Sequence, residues 1–200
     1  SGDSEAYVEA TVDLSNPYVG QQIAYIFKYY EAVDANALPG LLVGQPDYEA
    51  PEFSNFWKEG EVEQTSYQEE RNGRLYNVSE LRTQLFPTLA GETTIEPARL
   101  LLSDLPGLVQ RQLQTLPVTI NVLPVPSSAP QGYTGAVGQY SLAAQVDRTS
   151  TTLGEPIRLT LTLSGRGNIV MAPEPQLPPL ANWRVVQEAT AVSPLVDAQG

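Results

Sequence analysis

The chain has 200 residues with 23 Asp and Glu against 11 Lys and Arg, a formal charge of −12, and neither Cys nor His. Without those two residue types the common zinc, copper and iron–sulfur sites lose their usual ligands, and catalysis by a thiolate or an imidazole is excluded. The acidic balance also argues against nucleic acid and anionic membrane surfaces, both of which would repel it.

From the N-terminus, Val8, Ala10, Val12 and Leu14 alternate with Glu9, Thr11 and Asp13, the pattern of a half-buried strand. Asn16-Pro17 turns the chain toward Gly20, and a longer strand follows over about residues 22–31 with Ile23, Tyr25, Phe27 and Tyr29 on one face. Ala24, Ile26 and Tyr30 make its other face partly apolar, which places the strand centrally in its sheet. From Ala35 to Lys58 the periodicity weakens and Pro39, Pro46 and Pro51 punctuate the chain, so a long irregular connection is expected, with one short strand near residues 41–43. Residues 61–70 and 74–86 read as two strands joined by Asn72-Gly73, a pair that adopts the positive φ angles of a two-residue type I′ turn. A turn at 89–91, a strand at 93–102, a loop at 103–107 and a last strand at 109–122 complete seven strands. Their spacing predicts an all-β, immunoglobulin-like sandwich over residues 5–123.

Residues 124–130 hold Pro124, Pro126 and Pro130 around Ser127 and Ser128, an extended, stiff linker. After it the sequence repeats itself. Residues 8–31 return without a gap at 142–165, so that Ala10, Val12, Asp13, Gly20 and Ile23 fall on Ala144, Val146, Asp147, Gly154 and Ile157. The alternation carries over too, with Tyr25, Phe27 and Tyr29 landing on Leu159, Leu161 and Leu163. A duplicated β-domain explains all of these matches at once. The prolines at 173, 175, 178 and 179 exclude a central strand there, a further strand is expected at 182–187, and Trp183 is expected to fill the second core. Counterparts of the first copy's later strands would fall beyond residue 200, so residues 131–200 read as the N-terminal part of a truncated second domain.

Several stretches resemble one known family: Tyr18-Val19-Gly20-Gln21-Gln22, Pro51-Glu52-Phe53-Ser54-Asn55-Phe56-Trp57, Asn72-Gly73-Arg74-Leu75-Tyr76, Leu85 through Ile95, Gly135-Ala136-Val137-Gly138, and Ser164-Gly165-Arg166-Gly167-Asn168. In this order and spacing they resemble the BatD proteins, the oxygen-tolerance or aerotolerance proteins of bacterial Bat operons, over nearly the whole chain. The resemblance implies an extracytoplasmic protein, in the periplasm or on the outer face of the cytoplasmic membrane, with a secretion signal before these residues and a membrane-spanning helix after them. It implies as partners membrane-anchored von Willebrand factor type A proteins and a MoxR-type AAA+ ATPase system, and a scaffold or chaperone-like role without catalysis. Within these residues there is no stretch of about 18 apolar residues, so the anchor follows from the resemblance alone.

Phe53, Phe56 and Trp57 are the candidate partner-binding residues. Beside Tyr48 they can anchor a partner or form a platform for a sugar ring, as in a carbohydrate-binding or adhesin module; equally, they can close one open end of the sandwich core. Glu59, Glu61 and Glu63 alternate, which on a regular strand puts three carboxylates on one face, a pattern open to Ca²⁺ or to a glycosidase pair but also that of a solvated surface. Asp13 and Asp147 occupy matching places in both copies, and a carboxylate accepting backbone N–H bonds at a turn accounts for both. Gly165-Arg166-Gly167-Asn168 lacks the further Gly and the Lys of a phosphate loop and reads as a tight turn. No metal or cofactor is expected.

Overall fold

The structure, a computed structural model, describes residues 5–33, 46–103, 110–128, 136–167, 172, 174–175 and 177–186. These residues form antiparallel sheets, none of them closed, and contain no helix. Accordingly, no helix among them is long and apolar enough to cross a membrane. The chain falls into two compact units, Ser1–Pro126 and Ser127–Gly200.

In the first unit β1 (Ala6–Val12), β2 (Ile23–Ala32), β5 (Arg74–Pro87) and β4 (Phe56–Arg71) make one sheet in the order β1-β2-β5-β4. A second sheet takes β3 (Asp47–Glu49), β7 (Arg99–Ser103) and β8 (Gln110–Gln114) in the order β3-β7-β8, and β6 (Gly91–Ile95) pairs with β9 (Val118–Val122). The alternating residues of β2 decide the packing. Ile23, Tyr25, Phe27 and Tyr29 are buried with Leu85 of β5 against Ile95, Leu100, Leu102, Ile120 and Val122 from the other strands, while Val8, Ala10 and Val12 of β1 pack at the margin. Each large apolar side chain removed from water in this way contributes about 1.5–3 kcal/mol. Burial pushes up the hydroxyl pKa of Tyr25 and of Tyr48, the latter to about 12.

The Asn72-Gly73 hairpin forms as expected: φ is 53° at Asn72 and 77° at Gly73, and Arg71 pairs with Arg74. The expected strand at 93–102 instead divides into β6 and β7 around Glu96-Pro97-Ala98, and that at 109–122 divides into β8 and β9 around Thr115-Leu116-Pro117. Pro97 and Pro117 each lack the N–H that a continuous ladder needs. The gap is bridged locally, since Thr115 bonds Ala98 through its N–H to the carbonyl at 3.0 Å and accepts the Ala98 N–H on Oγ1 at 3.0 Å. The strand expected at 41–43 lies outside the described residues, whereas β3 forms between Pro46 and Pro51, inside the stretch read as irregular.

The described part of the second unit is the pair β10 (Gly138–Val146) and β11 (Leu159–Gly167). Val12 faces Tyr25 in the first unit and Val146 faces Leu159 in the second, so the repeat preserves the strand register as well as the pattern. Gly20 and Gly154 both hold positive φ, 77° and 94°. Asp13 Oδ1 accepts the N–H of Ala24 at 2.8 Å, and Asp147 Oδ1 accepts that of Arg158 at 2.9 Å. Each Asp therefore clamps the strand it faces, as its matching position implied. In three places the second unit departs from what its sequence predicts. Gly165 and Gly167 belong to β11 and not to a tight turn: a Cβ on Gly165 would run into the Gln139 carbonyl oxygen, and one on Gly167 would lie 2.6 Å from the Tyr140 hydroxyl, so the requirement is close approach of strands. Residues 182–186 form no strand, Asn182 turning the chain at φ 68°. Trp183 is 53% exposed, because no second layer lies over it among the described residues.

Candidate functional site

Two surfaces of the first unit gather chemistry-bearing side chains. The first is the end of this unit where the chain runs toward residue 126. Here the backbone joins four segments: Gly20 N–H donates to the Pro87 carbonyl (2.8 Å), Val19 N–H to Leu123 (2.9 Å), Leu123 N–H to Pro17 (2.7 Å) and Thr88 N–H to Asn55 (2.8 Å). Asn55 sits at φ 69°, a conformation Asn tolerates better than other side-chain-bearing residues, and it reverses the chain into β4.

This turn sets the fate of the three candidate aromatics. Phe53 packs its edge on Tyr25, with centroids 5.2 Å apart and planes at 72°, and Phe56 lies half-buried against the same core. Those two rings close the core. Phe56 and Trp57 belong to β4 itself, not to the irregular connection in which they were expected, and Trp57 faces Phe86 across the ladder. Trp57 is 39% exposed, and its ring meets that of Phe86 at 5.3 Å with a 43° tilt, so the pair is not a flat platform. Tyr18, 39% exposed, and Leu89, 59% exposed, belong to the segments joined at this same end.

The second surface is the outer face of the β1-β2-β5-β4 sheet. Tyr7 of β1 stacks on its cross-strand partner Tyr30 of β2, centroids 4.5 Å apart and planes within 7°, and Tyr76 of β5 meets both rings edge-on. With Val78 they form a small apolar cluster separate from the core. Arg71, beside the hairpin turn, covers it: the guanidinium lies 4.3 Å from the Tyr30 ring centroid, donates to both Glu9 carboxylate oxygens at 3.1 and 3.0 Å, and bonds Glu69 at 2.6 Å. One side chain of β4 thus reaches over β5 and β2 to the acid on β1.

Further along the same face Glu80 is the one buried carboxylate among the described residues. Arg82 donates to it at 2.6 Å, the Tyr67 hydroxyl donates to it at 2.8 Å, and Lys28 lies 3.2 Å away while also donating to Tyr67. Burial alone would raise the Glu80 pKa, but the bonds from Arg82, Tyr67 and Lys28 outweigh it and hold the carboxyl below its ordinary value of 4.5. The hydrogen bond to Tyr67 raises the Lys28 pKa against the opposing effect of burial, and its ion pair with Glu80 raises it further. Two cations thus surround the single carboxylate, and no second buried carboxylate faces it among the described residues.

Glu59, Glu61 and Glu63 do not make the regular row expected of them. Gly60 adopts φ 76° and the register shifts between Glu59 and Glu63, so that these two face Gln84 and Arg82 while Glu61 sits inside the bulge. Among the described residues no three acidic side chains converge on a point that could hold a metal ion. The outer-face cluster escaped sequence reading, although the apolar residues on both faces of the 22–31 strand were its signal: Tyr30 pointed away from the core and needed a cover. Compared with protein-family models and with curated proteins, the chain matches neither a family model nor a curated protein.

Proposed function

We propose that the chain is a non-catalytic, protein-binding pair of immunoglobulin-like domains from a bacterial cell-envelope scaffold of the BatD type. What supports the fold reading is the strand order. Two of the three sheets of the first unit, β1-β2-β5-β4 and β3-β7-β8, have the strand order of the ABED and CFG sheets of a constant-type immunoglobulin domain, and β6-β9 is a further pair. The observation that carries the binding reading is that Tyr18, Trp57 and Leu89 are all exposed on segments joined by backbone hydrogen bonds at one end of that domain. Amphipathic rings held on a fixed backbone are the usual anchors of protein interfaces.

In this reading the partner is the soluble domain of a von Willebrand factor type A protein, working with a MoxR-type ATPase system, and the longer protein is membrane-anchored and extracytoplasmic; each of these comes from the family resemblance. Titration calorimetry of residues 1–200 against that soluble domain tests it. Saturable binding that Trp57→Ala weakens by more than about tenfold, equivalent to about 1.4 kcal/mol, is the expected result. Binding indifferent to Trp57→Ala would move the site elsewhere. A complete absence of binding would remove the partner.

A further inference from the structure

Among the described residues β4 is the edge of its sheet, and it runs 16 residues from Phe56 to Arg71 where a mean strand has about five or six. Among the described residues no strand pairs with its far side. Edges of this length are usually blunted by proline, by a covering segment or by a bulge. β4 carries a bulge at Gly60, but from Glu63 to Arg71 the pairing with β5 runs without interruption and no proline intervenes.

The hairpin fixes which backbone groups remain free. In a two-residue turn the flanking residues, here Arg71 and Arg74, bond each other through both backbone groups, and the ladder then alternates. Glu63, Thr65, Tyr67 and Glu69 therefore bond β5, whereas Gln64, Ser66, Gln68 and Glu70 direct their N–H and C=O groups away from it. The other side of β5 agrees, since the Leu75 carbonyl accepts from Val33 on the β2 side at 2.9 Å. Gln64, Ser66, Gln68 and Glu70 are all exposed.

We propose that this free side of β4, from Glu63 to Arg71, takes up an extended, Lys- or Arg-bearing segment of another protein as an added antiparallel or parallel strand. Charge decides the class of occupant. Outside the ion pair of Glu69 with Arg71, which also holds Glu9, the charged residues along β4 are Glu59, Glu61, Glu63 and Glu70 against Lys58 alone. An added strand stands about 4.7–4.9 Å from β4, so a basic side chain on its outer face falls beside Glu63 and one on its other face beside Glu70. A second copy of this chain would instead bring like-charged rows together, on a molecule of net charge −12. Tyr67, its ring exposed on the outer face, gives the added strand one apolar neighbour. The inference rests on the protein-binding reading above but uses a different surface.

The test is a fluorescence-anisotropy titration of residues 1–200 with a capped, alternating Lys–Val peptide long enough to span Glu63 to Arg71. A second peptide with the same sequence, N-methylated on every residue, keeps the charge but offers no backbone N–H on either edge and cannot join a sheet. Ser66→Pro removes an N–H that faces away from β5, a position where an edge strand tolerates proline. Saturable binding of the first peptide, weakened at least about tenfold by N-methylation and by Ser66→Pro, is the expected result. Equal binding of both peptides would reduce the effect to charge attraction and overturn the proposal, as would no binding at all. If Ser66→Pro fails to fold, the pair of peptides decides alone. Peptide binding that survives Trp57→Ala, with no affinity for the von Willebrand domain, would keep the edge site and reject the named partner; the reverse outcome would reject the edge site alone.

Discussion

At one register position the two copies of the repeat make opposite choices. Tyr7 faces Tyr30 in the first unit and the rings stack; at the matching place in the second, Ser141 faces Ser164 and the hydroxyls lie 2.9 Å apart. The difference extends along the whole outer face, where Glu9 and Lys28 of the first copy give way to Ala143 and Thr162 of the second. Everything that forms the strand pair itself is kept, including the register, the positive-φ glycine and the aspartate clamp. The comparison separates two tasks: pairing needs a clamp and an alternating pattern, while the outer face is free to vary, and in the first copy it has been built into an aromatic and ionic layer that straps the long hairpin down.

The largest test of that separation is Tyr30→Ala set against Ser164→Ala. Removing a fully buried ring that also supports Arg71 should cost the first unit about 3–5 kcal/mol in urea denaturation, whereas the exposed hydroxyl should change stability by less than about 0.5 kcal/mol. Similar losses in both would mean that the outer face serves the two copies alike.

Asp13→Ala comes next, with a loss of about 1–2 kcal/mol because it strips a partly buried N–H of its acceptor. Asp147→Ala should lose less, its clamp being exposed to water. The Arg158 backbone N–H holds the Asp147 carboxyl below the ordinary aspartate value, so a carbon-detected NMR titration should find it ionised where free aspartate is already half protonated. A normal titration would show that the clamp is open in solution.

Arg71→Ala should cost about 1 kcal/mol, chiefly through the contact over Tyr30, since its ion pairs with Glu9 and Glu69 are partly exposed and screened. Hydrogen exchange should accelerate near the hairpin turn and not at β10 and β11. The smallest effect is acidic. Glu80 has a folded-state pKa below its ordinary 4.5, so its contribution is complete above that pH and is lost as pH falls through the lower, folded value. Wild type should therefore lose more stability than Glu80→Gln on going from neutral pH into that acidic window, and parallel curves would remove Glu80 from the strap.

The all-β class, the Asn72-Gly73 hairpin and the two repeat-matched strands of each copy were legible in the sequence, because each depends on neighbours close along the chain or on a period-2 pattern. The same holds for Asp13 and Asp147, whose partners lie 11 residues away in both copies. The candidate site was legible in part. Residues 53–57 stood out as aromatic, but which of their rings close the core and which face outward depends on the Asn55 turn and on Tyr25 and Phe86, residues distant in sequence.

Sequence alone, then, determined which segments are strands, where one hairpin turns and what chemistry the chain lacks, since an alternating pattern, a positive-φ turn and a missing residue type need no third dimension. Only the tertiary structure decided that Arg71 would lie over Tyr30 and reach Glu9, 62 positions away, that Glu80 would be buried among Lys28, Tyr67 and Arg82, and that β4 would end its sheet with one side unpaired among the described residues. Those outcomes depend on strand order across the sheet, which is set by how distant segments bury their apolar faces together and leaves no mark at any single position.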